Sequence, residues 1–175
     1  MSEQILVKPI NNQIDEKTQK ALKALEQARV FHEKYLIRKD NTDLQDAISN
    51  YIDAVKYDPT IPETYYRLAS LMWEQGQISI NTAIDQCKTA VSLAPDNMNA
   101  HLYTGYFMQL AENYPEAVDE FKSAIKNGKF NSARPRLVLS QAILDKIHAT
   151  KGNVADYMSF AYYFITGSLM LAWDR

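Results

Sequence analysis

Between Tyr65 and Ala124 the chain repeats one pattern head to tail, and this self-similarity constrains the fold more than any other feature of the sequence. Ala83, Cys87 and Ala90 recur 34 residues later as Ala117, Phe121 and Ala124. Tyr65, Leu68, Ala69 and Met72 recur 36 residues later as His101, Thr104, Gly105 and Met108, which places about two extra residues between Gly76 and Ala83 in the first copy. Each copy therefore predicts two helices joined by a short turn. Small residues (Ala69, Ala83, Ala90, then Gly105, Ala117, Ala124) alternate with bulky ones at helical spacing. Antiparallel helices whose axes lie roughly 8–10 Å apart tolerate no more than a methyl group where their backbones cross, with a large side chain beside it to fill the space. Pro59 and Pro95 each follow a helix that they cannot continue.

Residue for residue, the segment resembles the tetratricopeptide repeat. That pattern has a bulky residue, Leu-Gly and Tyr in its first helix, a Gly in the turn, and Ala, an aromatic and Ala in its second helix before a closing Pro. Tyr65, Leu68-Ala69, Met72, Gly76, Ala83, Cys87, Ala90 and Pro95 fill these places, followed by His101, Thr104-Gly105, Met108, Tyr114, Ala117, Phe121 and Ala124. The second copy departs from it at Glu112, where Gly is usual, and at Lys129, where Pro is usual; Gly128 is the expected helix stop. Ala47, Tyr51, Ala54 and Pro59 match the second helix of an earlier unit, with Tyr35 in its first helix. The resemblance covers residues 28–128, about three repeats, and implies an all-α superhelical array of helix pairs that binds protein partners without catalysis.

Read in order, residues 1–15 show no period and form an expected flexible tail, 16–128 the array, and 129–175 a capping helix pair. In the first helix, Glu16 to Arg38, the apolar stripe is Ala21, Leu22, Leu25, Ala28, Phe31, Tyr35 and Leu36. In the second, Asp43 to Lys56, it is Leu44, Ala47, Ile48, Tyr51, Ile52 and Val55. Helices follow over 62–75, 80–93, 97–111 and 115–126, with Asp96 as an expected cap and Pro62 and Pro115 in first turns. Ser132 is the expected cap of a seventh helix that tolerates Pro135 and ends at Lys151-Gly152. Asn153 opens an eighth.

That eighth segment differs in kind, since Tyr157 to Trp173 carries no charge and is apolar all the way round. At 1.5 Å per residue it is about 25 Å long, short of the roughly 30 Å hydrocarbon core. The end of a stacked array should show a polar outer face. Tyr157, Phe160, Phe164, Leu169 and Trp173 are therefore expected to pack on the array or on a second copy (a homodimer), to touch a membrane peripherally, or to meet more of a longer parent chain. A basic stretch precedes it: Lys122 to Lys151 holds seven basic residues and one acid, against eleven basic and eighteen acidic residues from Met1 to Phe121.

The net charge of −2 and the pI near 5.9 argue against nucleic-acid binding. The lone Cys87 excludes an internal disulfide, fits a reducing compartment and stands at a packing position. Residues 1–13 lack the pattern of a secretory signal. A cytoplasmic protein is expected, with the cytoplasmic face of a membrane as the alternative. His32, His101 and His148 are far apart, and His101 falls at a packing position. No metal motif or Gly-rich phosphate loop occurs, so neither cofactor nor catalysis is expected. Glu116, Asp119 and Glu120 read as a solvated helix face.

By the resemblance, the concave groove is lined by the first helix of each pair. The groove positions are Glu63, Tyr66, Arg67, Ser70, Trp73 and Glu74, then Asn99, Leu102, Tyr103, Tyr106, Gln109 and Leu110. Tyr66, Ser70 and Trp73 share one helix face, as do Leu102, Tyr106 and Gln109. Stiff aromatic side chains with one polar end are common interface anchors, which makes these residues the expected partner-binding surface; gap-filling between repeats is the other reading of Tyr66 and Tyr103. Some members of the family hold a peptide's terminal carboxylate with Lys, Asn and Arg residues. Here those places hold Arg29, Glu33, Arg67, Asn99 and Tyr103, which is a different set and better suited to an apolar or aromatic segment.

Overall fold

The computed structural model describes residues 15–128 and 133–173; the expected tail over 1–14, the departure from the repeat pattern at Lys129 and the cap at Ser132 lie outside them. Among the described residues there are eight helices and no strand: α1 (Glu16–Arg38), α2 (Asn41–Tyr57), α3 (Pro62–Glu74), α4 (Ile80–Leu93), α5 (Met98–Leu110), α6 (Tyr114–Asn127), α7 (Ala133–Thr150) and α8 (Val154–Trp173). Each packs on its chain neighbours, and α5 also meets α3 and α7. The odd-numbered helices thus approach one another and form the inner wall of a curved array, with the even-numbered ones outside.

Helix ends follow local chemistry. Asp40 accepts the Thr42 amide at 2.8 Å, so α2 starts two residues before the expected Asp43. The cap of α5 is Asn97, whose Oδ1 takes the amides of Asn99 and Ala100, and not Asp96. Asn153 and Asp156 exchange side-chain and backbone bonds as a capping box at the start of α8. Gly128 ends α6 in extended backbone. Pro62 and Pro115 fall in first turns, as the sequence indicates.

All four turns within helix pairs place one residue in the left-handed region: Lys39 (φ 56°), Gly76 (67°), Glu112 (60°) and Lys151 (54°). The backbone is shared even where the glycine is not. The seventh and eighth helices therefore continue the array as another pair, and Lys151 makes their turn with Gly152 next to it.

The core comprises three clusters that bridge successive pairs. Ala28, Tyr51 and Leu71 join α1, α2 and α3; Ala69, Cys87 and Phe107 join α3, α4 and α5; Phe121, Leu139 and Ile143 join α6 and α7. The small residues do what their spacing predicts: Ala69, Ala83, Ala90, Ala117 and Ala124 are fully buried. A Cβ added at Gly105 would lie 2.7 Å from the Phe121 ring. Leu22, Leu36 and Ile52, read from the sequence as inward, are instead exposed at the edges of their stripes.

Candidate functional site: the concave wall

The wall has two unlike halves. On α1 and α3 it is closed by charge. Glu63 takes Arg29 Nε on Oε1 at 3.0 Å and a second Arg29 nitrogen on Oε2, while Arg67 Nε reaches Oε1 at 2.7 Å. Burial pushes the Glu63 carboxyl up, but the two guanidiniums outweigh it and hold the group below its ordinary value. Tyr35 Oη donates to Glu74 Oε1 at 2.6 Å. The cations that face the groove here are thus occupied by the protein's own carboxylates.

Tyr66 and Tyr103 stack with ring centroids 4.9 Å apart. Tyr66 is only 3% exposed, and burial pushes its phenol up to about 12. The structure therefore moves Tyr66 off the groove surface: α5 covers it, and it holds adjacent pairs together. Trp73 is half-buried edge-on against Phe107 at 5.5 Å, so it also belongs largely to the packing between α3 and α5.

Between α5 and α7 the wall is open. Tyr106 braces edge-on against Phe107 at 5.5 Å yet remains 42% exposed, as does Leu110. Two hollows flank it. One of about 290 Å³ is lined by Ser70, Leu102, Tyr103, Tyr106, Phe121, Arg134 and Val138. The other, about 350 Å³, is lined by Tyr106, Gln109, Leu110, Tyr114, Val138, Gln141 and Asp145. Tyr106 and Val138 belong to both and form the ridge between them. Gln109 Nε2 donates to Asp145 Oδ2 at 2.5 Å and Gln141 Nε2 to Oδ1 at 2.8 Å, so both carboxylate oxygens already accept a bond. Arg134, at the rim of the smaller hollow, has no ion-pair partner among the described residues.

Of the groove residues expected from sequence, Ser70, Tyr103, Tyr106, Gln109 and Leu110 meet around these hollows, whereas Arg67 lies in the ion-paired half. Sequence reasoning missed the contribution of α7: Arg134, Val138, Gln141 and Asp145. The signal was present, since Leu139-Ser140 and Ile143 follow Thr104-Gly105 and Met108 by 35 residues.

The remaining reactive types are structural. Cys87 is buried, and burial pushes its thiol up to about 12. His101 Nδ1 lies 2.7 Å from Glu120 Oε2 and its Nε2 lies 2.8 Å from the Pro95 carbonyl, an inter-helix tie. Glu120 is therefore more than the solvated carboxylate its helix position suggests. Among the described residues, no group of three or more His, Cys, Asp and Glu residues could hold a metal ion.

No protein-family profile matches the chain, and no curated protein matches it. Solved structures do. The first TPR of Spaghetti (RPAP3) bound to the HSP90 peptide SRMEEVD is 21% identical, with a TM-score of 0.60 over 71% of this chain and 94% of that one. A crystal structure of MamA is 18% identical, with a TM-score of 0.60 over 92% and 97%. A Thermobaculum terrenum O-GlcNAc transferase is 17% identical, with a TM-score of 0.61 over 74% of this chain and 23% of that one. With the repeated turns and the nested small residues, this likeness establishes the fold: a tetratricopeptide-repeat array of helix pairs.

Proposed function

We propose that the protein is an interaction adaptor that docks a partner segment along the α5–α7 half of its concave wall and performs no chemistry of its own. The observation that carries this reading is the ridge formed by the exposed Tyr106 and the half-buried Val138 between two hollows. The volumes, about 290 and 350 Å³, each suit one or two large side chains. Ridge and hollows together favour an extended or helical segment carrying apolar or aromatic residues. The likeness to an array seen with a peptide supports docking as the mode of action. An acidic tail such as that array's peptide is a poor fit for the α1–α3 half, where Glu63 already occupies Arg29 and Arg67.

Action in the cytoplasm fits the buried free thiol. Among the described residues no helix is long and apolar enough to cross a membrane. The test is selection of a random peptide display library on the immobilised chain, followed by titration of the winners. Tyr106→Ala should weaken them by roughly 30-fold, the order expected for a central aromatic anchor, with the helical circular-dichroism signal unchanged. Equal affinity for the variant would sink the groove assignment. Trp73→Ala is a less clean probe, because its packing on Phe107 makes it a stability variant too.

A further inference from the structure

One side of α8 is spoken for. Phe160 and Tyr163 pack into the core beside α7, and a Cβ at Gly167 would come within 3.0 Å of Leu137. The other side carries Tyr157, Met158, Tyr162, Phe164, Ile165 and Leu169, each between 49% and 69% exposed. At about 100° per residue these six fall on one continuous arc. In α2, α4 and α6 the next helix packs against the outer pair member. Among the described residues nothing does so for α8.

We propose that this arc packs against the same arc of a second copy of the chain, α8 on α8 about a two-fold axis. The first argument is charge. A two-fold interface sets a patch against itself, so any net charge on it repels its own image. From Tyr157 to Trp173 there is none. The second argument weighs against seating the arc on α1 of another copy. α1 also shows exposed apolar residues, namely Leu22, Val30, Leu36 and Ile37, but they are interleaved with the exposed Glu26 and Glu33. Seating α1 on a face without cations would strip water from those carboxylates and return nothing. The third is area. With roughly 100 Å² showing on each of six large side chains, the arc offers on the order of 600–700 Å² per copy, close to the roughly 800 Å² per partner of a standard stable interface. Ala161 and Ser168 lie inside the arc and let two helix axes approach. An anionic membrane would find no basic residue on this face to meet it.

The experiment is sedimentation of the whole chain from low to high micromolar concentration, beside Ile165→Glu and Leu36→Glu, with circular dichroism and melting as checks of folding. A concentration-dependent dimer is expected in the parent and in Leu36→Glu, with the dissociation constant raised at least about tenfold in Ile165→Glu. As a second measurement, Ile165→Cys should form a disulfide-linked dimer on mild oxidation, and Leu36→Cys should not, with Cys87 inert because it is buried. Three results would each overturn the proposal: a monomer throughout, oligomers abolished by Leu36→Glu instead, or a monomer that floats with phosphatidylserine vesicles.

Discussion

The two halves of the inner wall have the same backbone and opposite availability. On α1 and α3 the groove positions are rich in charge, yet Arg29, Glu63 and Arg67 consume one another, and Tyr35 caps Glu74. On α5 and α7 the positions are mostly uncharged, and it is there that Tyr106, Val138 and Leu110 leave space. A groove position is thus a location and not a function. What a side chain offers a partner depends on whether the neighbouring repeat has already engaged it.

The largest expected effect tests how the open half is supported. Opposite members of the two best-matched repeats trade size: Ala69 shares a cluster with Cys87, while Gly105 admits Phe121, whose ring forms the floor of the smaller hollow. Phe121→Ala should cost about 3–5 kcal/mol in denaturant unfolding, whereas Cys87→Ala should cost about 1–2 kcal/mol, because much less volume is lost. Equal costs would mean that the two halves are packed alike.

Acid should separate the halves next. His32 is buried against Tyr51, at 3.5 Å from Nδ1 to the hydroxyl, and burial followed by the nearby Arg67 depresses its pKa from 6.5 to about 4. The unfolded chain therefore takes up a proton between those values while the folded chain does not. Stability is complete above pH 6.5 and falls as pH drops towards 4, by on the order of 2–3 kcal/mol. Glu63 works in the same direction lower down. Its folded carboxyl titrates below the ordinary 4.5, so its contribution is present above that value and lost as pH falls through the folded one. Amide protection, taken as each exchange rate against its intrinsic value at that pH, should fall in α1–α3 between pH 7 and 4.5 before it falls in α5–α7, and His32→Gln should remove most of the difference. Loosening that begins in α5–α7 would reverse the comparison.

Glu63→Gln attacks the contrast at its source. The amide keeps the volume but leaves Arg67 without a carboxylate and Arg29 with only the exposed Glu26 at 3.4 Å, at a cost of about 1–2 kcal/mol. It also frees two guanidiniums for a ligand. An acidic heptapeptide that ignores the parent protein should then bind measurably by titration calorimetry, more weakly as salt rises. If it does not, charge pairing is not what closes the α1–α3 half.

Most of the fold was legible because its determinants are local and repeated. Alanines at fixed intervals, Pro59 and Pro95 after helices, and the stripes of α1 and α2 are properties of single segments that periodicity reports directly. The site was less legible because its state is set between segments. Nothing within α3 says that Tyr66 will be covered by Tyr103, or that Glu63 will receive an arginine 34 residues upstream. The open half lost α7 for another reason. Its match to the repeat, at Leu139-Ser140 and Ile143, lacks the aromatic and glycine landmarks that make a pattern conspicuous.

The smallest effect concerns the turns, where sequence and backbone disagree most openly. Gly76 and Glu112 occupy corresponding turns with φ of 67° and 60°, and both turns close with a bond back over five residues, Gln77 to Met72 at 2.8 Å and Asn113 to Met108 at 2.9 Å. A Cβ at Gly76 would meet nothing within 4 Å, so Gly76→Ala isolates the backbone cost of a left-handed residue, about 1 kcal/mol. Glu112→Gly should make the mirror-image change and stabilise the α5–α6 turn by about 0.5–1 kcal/mol, the gain being trimmed by the added freedom of glycine in the unfolded chain. Thermal melts of the two variants should therefore shift in opposite directions. If Glu112→Gly lowers the melting temperature, the glutamate side chain is contributing something beyond its strained backbone, and the half of the wall that carries the hollows is held by more than its packing.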